Sequence, residues 1–158
     1  MPFPLGHLSR RFFQVIRAKP PTPGEQVTVS RLLEPAEAGL FWAQAPNDQR
    51  HAIETMQRLS ATVDDPVALR AALLHDVGKA DPYLGPFGRV FATVCDALGL
   101  RLNGRYLAYR RHGASGAALL EAVGAPGLVV DFARRHPEED PGGYDPAVWR
   151  ALLVADEV

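Results

Sequence analysis

The amino-acid sequence predicts an all-α fold, a single helical bundle of about seven to nine helices. The 158 residues suffice for one compact core, and the apolar (47%) and charged (22%) fractions are those of an ordinary globular protein. Apolar residues recur at helical spacing through most of the chain, whereas strand-like alternation is limited to the stretch around Val27 and Val29. Proline and glycine interrupt the helical pattern where helices would begin and end.

The first 31 residues predict a helix followed by a connector. Leu5–Arg17 has the apolar spacing of a short amphipathic helix that covers the core, and its few arginines fall short of the polybasic patch that a membrane anchor needs. The prolines within residues 19–24 predict an extended connector, because they cannot continue a helix. We therefore expect the main domain to comprise residues 32–158.

Helix ends in the main domain are predicted from local signals. In Asp65-Pro66 and Asp145-Pro146 the carboxylate suits an N-cap and the proline suits the first helical position, while Gly124 suits a C-terminal stop. The predicted helices are Pro35–Ala43, Asp48–Ser60, Pro66–Val77, Phe87–Leu98, Gly113–Val123, Pro126–Arg135 and Pro146–Asp156.

Charge and cysteine content exclude several classes of partner. With a net charge of -1 and a pI near 6.5, no global positive field exists to hold long nucleic acid or an anionic membrane. The single cysteine, Cys95, excludes an intramolecular disulfide and suits a packed apolar position. The N-terminal stretch also lacks the apolar run of a signal peptide, so we expect a cytoplasmic protein.

The most informative stretch is residues 73–79, which read Leu-Leu-His-Asp-Val-Gly-Lys. A strongly apolar helix there ends in the polar side chains of His75, Asp76 and Lys79. Burial of a carboxylate costs several kcal/mol unless the group is paired or binds a metal, so Asp76 needs a cation nearby. Lys79 could supply that charge, and so could a metal ion.

Three more histidines and a second aspartate could join this pair. His51 adjoins an apolar stripe in its predicted helix, and His136 and Asp156 each follow an apolar residue by four positions, which directs all three toward the core. His112 opens another predicted helix. Each histidine alone is weak evidence, because a buried histidine more often bonds to the backbone, but together they form a mixed nitrogen and oxygen ligand set. Such a set suits Fe, Mn, Co, Ni or Zn, and the lack of thiolates argues against a structural zinc site.

The order His51, His75-Asp76, Asp156 resembles the ligand set of the His-Asp (HD) phosphohydrolase superfamily, and residues 73–79 resemble its most specific local motif. His112 and His136 match the two extra histidines of the branch that holds two metals. The resemblance covers residues 51–158 and implies an HD-domain-like bundle. It also implies that the metal ligands are His51, His75, Asp76, His112, His136 and Asp156.

The resemblance further implies a metal-dependent phosphohydrolase, a phosphatase or phosphodiesterase, that acts on a small phosphorylated substrate such as a nucleotide. Two divalent transition-metal ions would activate a water for attack on phosphorus. Asp76 would bridge the ions and orient the nucleophile, and Lys79 would contact the substrate phosphate, so both are expected to be catalytic. For Lys79 the simpler alternative is a solvated charge at a helix end. Arg110 and Arg111 could help to bind the anion, although solvation at the surface explains them equally well.

Two other functions fit the same ligand set. A few members of the superfamily use a mixed-valent diiron pair to activate oxygen, and a non-catalytic sensor would bind a nucleotide or metal without turnover. The sequence does not identify the substrate. The region before Leu32 could cover the cleft, pack on the bundle or form a homodimer contact.

Overall fold

The fold is all-helical over residues 19–80, 104 and 112–157, which are the residues that the computed structural model describes. Seven α-helices and one short 3₁₀ helix, without any strand, occur in these ranges, and none of the helices is long and apolar enough to cross a membrane. The elements are α1 (Pro23–Leu32), α2 (Pro35–Trp42), α3 (Pro46–Ser60), α4 (Pro66–Leu74), the 3₁₀ helix Val77–Lys79, α5 (His112–Ala122), α6 (Gly127–Arg135) and α7 (Pro146–Asp156). The predicted all-α class is confirmed.

Helix α4 lies at the centre of the bundle. It packs against α1, α2, α3, α6 and α7, while α5 packs against α6 and the 3₁₀ helix. Its alanines let the neighbouring helices approach closely, and its leucines fill the space between them. The fully buried residues of α4 are Ala68, Ala71, Ala72, Leu73 and Leu74. The residues that follow the last turn of α4 therefore lie in the middle of the protein.

The predicted helix-end signals have the expected geometry. The Asp65 side chain accepts a hydrogen bond from the Val67 amide at 2.9 Å, and the Asp145 side chain accepts one from the Ala147 amide at 2.8 Å. Gly124 follows α5 with a φ of 72°, a conformation that glycine adopts without strain. These signals are local, and the structure confirms them.

The strand-like alternation around Val27 and Val29 forms no strand, because both residues lie in α1. A capping box starts this helix: Thr22 Oγ1 accepts from the Glu25 amide, and a Glu25 carboxylate oxygen accepts from the Thr22 amide at 2.7 Å. Val29 is fully buried in the core, whereas Val27 is half exposed. The alternation of valines therefore reflects one inward and one outward position on a helix, and the predicted connector is shorter than residues 19–24 because α1 begins at Pro23.

The helix predicted over Pro66–Val77 also needs correction, because α4 ends at Leu74. His75 and Asp76 form a turn, and Asp76 has φ -105° and ψ 10°, outside the helical region. The 3₁₀ helix begins directly afterwards. This turn redirects the chain, so that the two polar residues do not continue the apolar face of α4.

Some predictions lie outside the described residues. These are the helices predicted at Leu5–Arg17 and Phe87–Leu98, together with Cys95. The division between residues 1–31 and 32–158 therefore stays a prediction.

An ion pair fastens α1 to α3. Arg50 donates to both carboxylate oxygens of Glu25, at 2.7 and 3.0 Å, and to the carbonyls of Lys19 and Pro20 at 3.1 and 3.0 Å. The hydrogen bond from Arg50 lowers the pKa of Glu25 from 4.5 to about 2. Because the pKa is lower in the folded protein, the pair contributes its full stability above pH 4.5 and loses it as the pH falls toward 2.

We expect Glu25→Gln to lower the free energy of unfolding by about 1 kcal/mol at neutral pH, as for a partly exposed ion pair. The difference from the unmodified protein should shrink as the pH falls from 4.5 to about 2, since Glu25 is protonated first in the unfolded state and then in the folded state. Urea unfolding across this pH range measures the effect, with Glu139→Gln, at an exposed position, as the control. A Glu25→Gln difference that stays constant with pH would contradict the assignment.

Candidate metal centre

The structure brings together six side chains that lie far apart in the sequence. They come from α3, from the turn after α4, from the first residue of α5, from the residue after α6 and from the end of α7. Their ligand atoms form three overlapping groups, and within each group the atoms lie within 4.8 Å of one another. The six residues are those predicted from sequence: His51, His75, Asp76, His112, His136 and Asp156.

Asp76 lies at the centre of this cluster, and its two oxygens face different histidines. Oδ2 is 3.4 Å from Nε2 of His75. Oδ1 is 3.4 Å from Nε2 of His112 and 3.6 Å from Nε2 of His136. One carboxylate thus has His75 on one oxygen and His112 and His136 on the other. A carboxylate that bridges two ions would be placed in this way.

Asp156 completes the side of the cluster that contains His51 and His75. Its Oδ1 lies 2.8 Å from Nε2 of His51 and 3.0 Å from Nε2 of His75. Both imidazoles therefore present the same ring nitrogen to one carboxylate oxygen.

Backbone carbonyls fix the orientation of two of the rings. Nδ1 of His75 lies 2.9 Å from the Ala72 carbonyl, and Nδ1 of His136 lies 2.9 Å from the Phe132 carbonyl. A carbonyl can only accept, so in each ring Nδ1 carries the proton and Nε2 of the neutral imidazole keeps its lone pair. A partner of this kind orients many metal-binding histidines in proteins. An ordinary buried histidine also makes a hydrogen bond to the backbone. In these two rings the same bond orients Nε2 toward the carboxylates.

Two buried atoms of the cluster lack a hydrogen bond. Nε2 of His75 and Oδ1 of Asp76 have no hydrogen-bond partner among the described residues, and both side chains are almost wholly buried. Unsatisfied buried polar atoms are costly, and a lone pair that faces carboxylate oxygens is repelled by them. A cation between the imidazoles and the carboxylates would satisfy both, so the residues fit a metal ion.

The charges of the cluster call for positive charge, from a metal ion on a neutral His75 ring or from a second proton on that ring. Burial lowers the pKa of His75, but the charges of Asp76 and Asp156 outweigh burial and raise the pKa to about 10. Burial raises the pKa of Asp76, whereas the Lys79 and His75 charges bring it well below its usual value. Burial raises the pKa of Asp156, but the His75 charge and the hydrogen bond with His51 together contribute to lowering it below its usual value. Both carboxylates are therefore ionised at neutral pH and need positive charge, which a proton on His75 or a metal ion can supply.

Lys79, predicted to contact a substrate phosphate, lies at the edge of the cluster. Its ammonium is 2.5 Å from Asp76 Oδ2. The Lys79 side chain is 19% exposed and that of Asp76 is 2% exposed, so the lysine separates the buried carboxylate from solvent. Arg110 and Arg111, the other predicted substrate contacts, lie outside the described residues.

Two histidines of the cluster are partly exposed to solvent. The exposed fraction is 33% for the His51 side chain and 23% for the His112 side chain, against 1% for His75. Among these three ligands, His51 and His112 are therefore the ones that solvent reaches, whereas His75 is buried.

Close packing of glycines holds His112 next to Asp76. A Cβ on Gly78 would lie 1.9 Å from the His112 carbonyl oxygen and 2.6 Å from the Gly116 amide nitrogen. A Cβ on Gly113 would lie 2.9 Å from the Arg134 carbonyl oxygen. Only glycine lets the first turn of α5 approach the 3₁₀ helix and the end of α6 so closely.

Sequence reasoning missed the groups that orient the ligands. The carbonyls of Ala72 and Phe132 precede their histidines by three and four residues, so the helical spacing of each pair was the available signal. Sequence reasoning also assigned Gly78 no structural role, although the sequence shows this glycine two residues after the His-Asp pair.

Comparison with known proteins adds nothing to these observations: no family model, curated protein or solved structure matches this chain. The site alone therefore carries the functional argument.

We expect Gly78→Ala to lower the free energy of unfolding by about 1–3 kcal/mol or more, because backbone atoms of α5 must move to make room. Gly39→Ala is the matched control, since a Cβ there would meet nothing within 4 Å. In the middle of α2 that substitution should raise stability by about 0.5–1 kcal/mol. Urea unfolding of both variants measures the contrast, and equal stability would contradict the close approach of α5.

Proposed function

We propose that this chain is a metal-dependent phosphohydrolase of the HD type that holds two divalent transition-metal ions. It would hydrolyse a phosphomonoester or phosphodiester of a small molecule such as a nucleotide. The observation that carries the proposal is the position of Asp76, whose Oδ2 faces the imidazole of His75 while Oδ1 faces those of His112 and His136.

The ligand atoms lie in three overlapping groups, and we assign them to two sets that share Asp76. One ion would be held by His51, His75, Asp76 and Asp156, and the other by Asp76, His112 and His136. These are nitrogen and oxygen donors, which suit Fe, Mn, Ni, Co or Zn. The second set has fewer protein ligands, and a metal with an open position is typical of catalytic rather than structural sites.

The chemistry of such a site requires an activated water and a neutralised phosphate. When bound, the metal ions would polarise a phosphate oxygen and lower the pKa of a coordinated water. Lys79 would add positive charge beside Asp76, where charge builds on the phosphate. Arg110 directly precedes Arg111 and His112 in sequence, so both arginines stay candidates for contact with the substrate.

The electrostatics of the site support an anionic substrate. Lys79 is partly exposed beside Asp76, and bound divalent ions would more than offset the charges of Asp76 and Asp156. Net positive charge at the site favours an anion such as a phosphate ester.

Metal content tests the division into two sets. Protein purified without chelators should contain about two equivalents of metal, as a two-metal hydrolase requires. Because the His112→Ala/His136→Ala double mutant removes two ligands of one set, its content should fall to about one equivalent or less. Elemental analysis measures both, with His7→Ala as the control because His7 matches nothing in the ligand pattern.

The contrary result is equally informative. A value of one equivalent or less that the double mutant leaves unchanged would assign His112 and His136 to packing or substrate contact. A single ion would then be held by the other set.

Hydrolysis is tested with general phosphomonoester and phosphodiester substrates and added Mn²⁺. We expect Lys79→Ala to lower kcat/KM about 100-fold without loss of bound metal, because it removes one charge that stabilises the transition state. The matched control is Lys19→Ala, which removes the exposed side chain of the other lysine in the chain and should retain full activity.

Two outcomes of that assay would overturn hydrolysis. Oxygen-dependent turnover, together with the magnetic signal of a mixed-valent iron pair, would indicate an oxygenase. Metal binding without turnover in either assay would indicate a sensor.

A further inference from the structure

The last turn of α7 is held by a side chain of α3. The Arg58 guanidinium donates from Nε to the carbonyl oxygen of Ala155 at 2.8 Å. Ala155 directly precedes Asp156, and the two residues end α7. Carbonyls in the last turn of a helix lack intrahelical partners, so a cationic donor there stabilises the helix end.

The same guanidinium is itself held in place. A second nitrogen of Arg58 donates to Thr55 Oγ1 at 3.2 Å. Thr55 lies one turn earlier on α3 and is fully buried. A buried hydroxyl that accepts from Arg58 restricts a long side chain that would otherwise adopt many rotamers.

The position of the contact gives it a role beyond helix capping. The Ala155 carbonyl and the Asp156 amide belong to one planar peptide group, which also contains the Asp156 Cα. A hydrogen bond that fixes the oxygen of this plane therefore limits the rotation of the group to which the Asp156 side chain is attached. At the other end of that side chain, Oδ1 must lie near Nε2 of both His51 and His75.

We propose that Arg58 is a positioning residue for the metal ligand Asp156. Thr55 holds the guanidinium, the guanidinium fixes the Ala155–Asp156 peptide plane, and this plane aims the carboxylate between His51 and His75. The inference depends on the metal-binding half of the proposed function and not on hydrolysis.

Arg58 also acts as a charge, and that effect has the opposite sign. A guanidinium near a cation site repels the cation, so its removal would by itself tighten metal binding. If Arg58 instead positions Asp156, its removal weakens metal binding. The direction of the change therefore separates the two roles.

The experiment is a titration of the full chain with Co²⁺. Calorimetry and the visible absorption of the bound ion measure the binding. Partners that orient a ligand typically change metal affinity by about 10–100-fold when they are replaced, so Arg58→Gln should weaken Co²⁺ binding about 10-fold or more. Its absorption spectrum should also change, because the ligand geometry is altered.

Two further variants keep the charge of Arg58. Arg58→Lys retains one donor nitrogen instead of three and should bind Co²⁺ with intermediate affinity. Thr55→Val removes the acceptor that holds the guanidinium and should weaken binding by a smaller factor. Arg150→Gln, on the exposed side of α7, is the matched control and should bind Co²⁺ as the unmodified protein does.

Each outcome decides the proposal. Equal or tighter Co²⁺ binding by Arg58→Gln would overturn the positioning role and leave the metal centre standing. Absence of Co²⁺ binding by the unmodified protein would overturn the proposed function and this inference together. If circular dichroism shows that Arg58→Gln does not fold, unchanged affinity in both Arg58→Lys and Thr55→Val overturns the positioning role.

Discussion

The burial of one carboxylate, that of Asp76, is the constraint on which the rest of the structure depends. An ionised carboxylate in a protein interior is unfavourable unless positive charge and hydrogen-bond donors surround it. Asp76 is 1% exposed, and the groups around it are imidazoles and one ammonium. Every element that contributes one of these groups must therefore converge on the turn after α4.

The packing of the bundle makes this convergence feasible. Helix α4 is lined with alanine and leucine, so it occupies the centre and ends where the other helices meet. The turn at His75 then replaces a continuous apolar face with polar groups. Gly78 allows α5 to approach within contact of this turn, and α3 and α7 add His51 and Asp156 from the other side. The polar site is thus a consequence of where the apolar helix stops.

Much of the fold could be predicted because its signals are local. The N-caps at Asp65 and Asp145 and the stop at Gly124 depend on residues within one helical turn. The stretch around Val27 and Val29 is ambiguous in the sequence, because two apolar residues two positions apart fit a strand as well as a helix. The capping box and the burial of one valine decided between them, and burial is a property of the packed molecule.

For the candidate site, the sequence by itself determined which side chains could bind a metal, since its imidazole and carboxylate groups at core-facing helix positions together form a mixed nitrogen and oxygen ligand set. Only the tertiary structure decided their geometry. The contacts between His51 and Asp156 and between Arg58 and Ala155 join residues 105 and 97 positions apart. Helical periodicity fixes the face on which a residue lies, but it carries no information about which distant helix will pack there. The pairing of distant helices depends on the fit of whole surfaces. Only this tertiary packing sets His75 beside Oδ2 of Asp76 and sets His112 and His136 beside Oδ1.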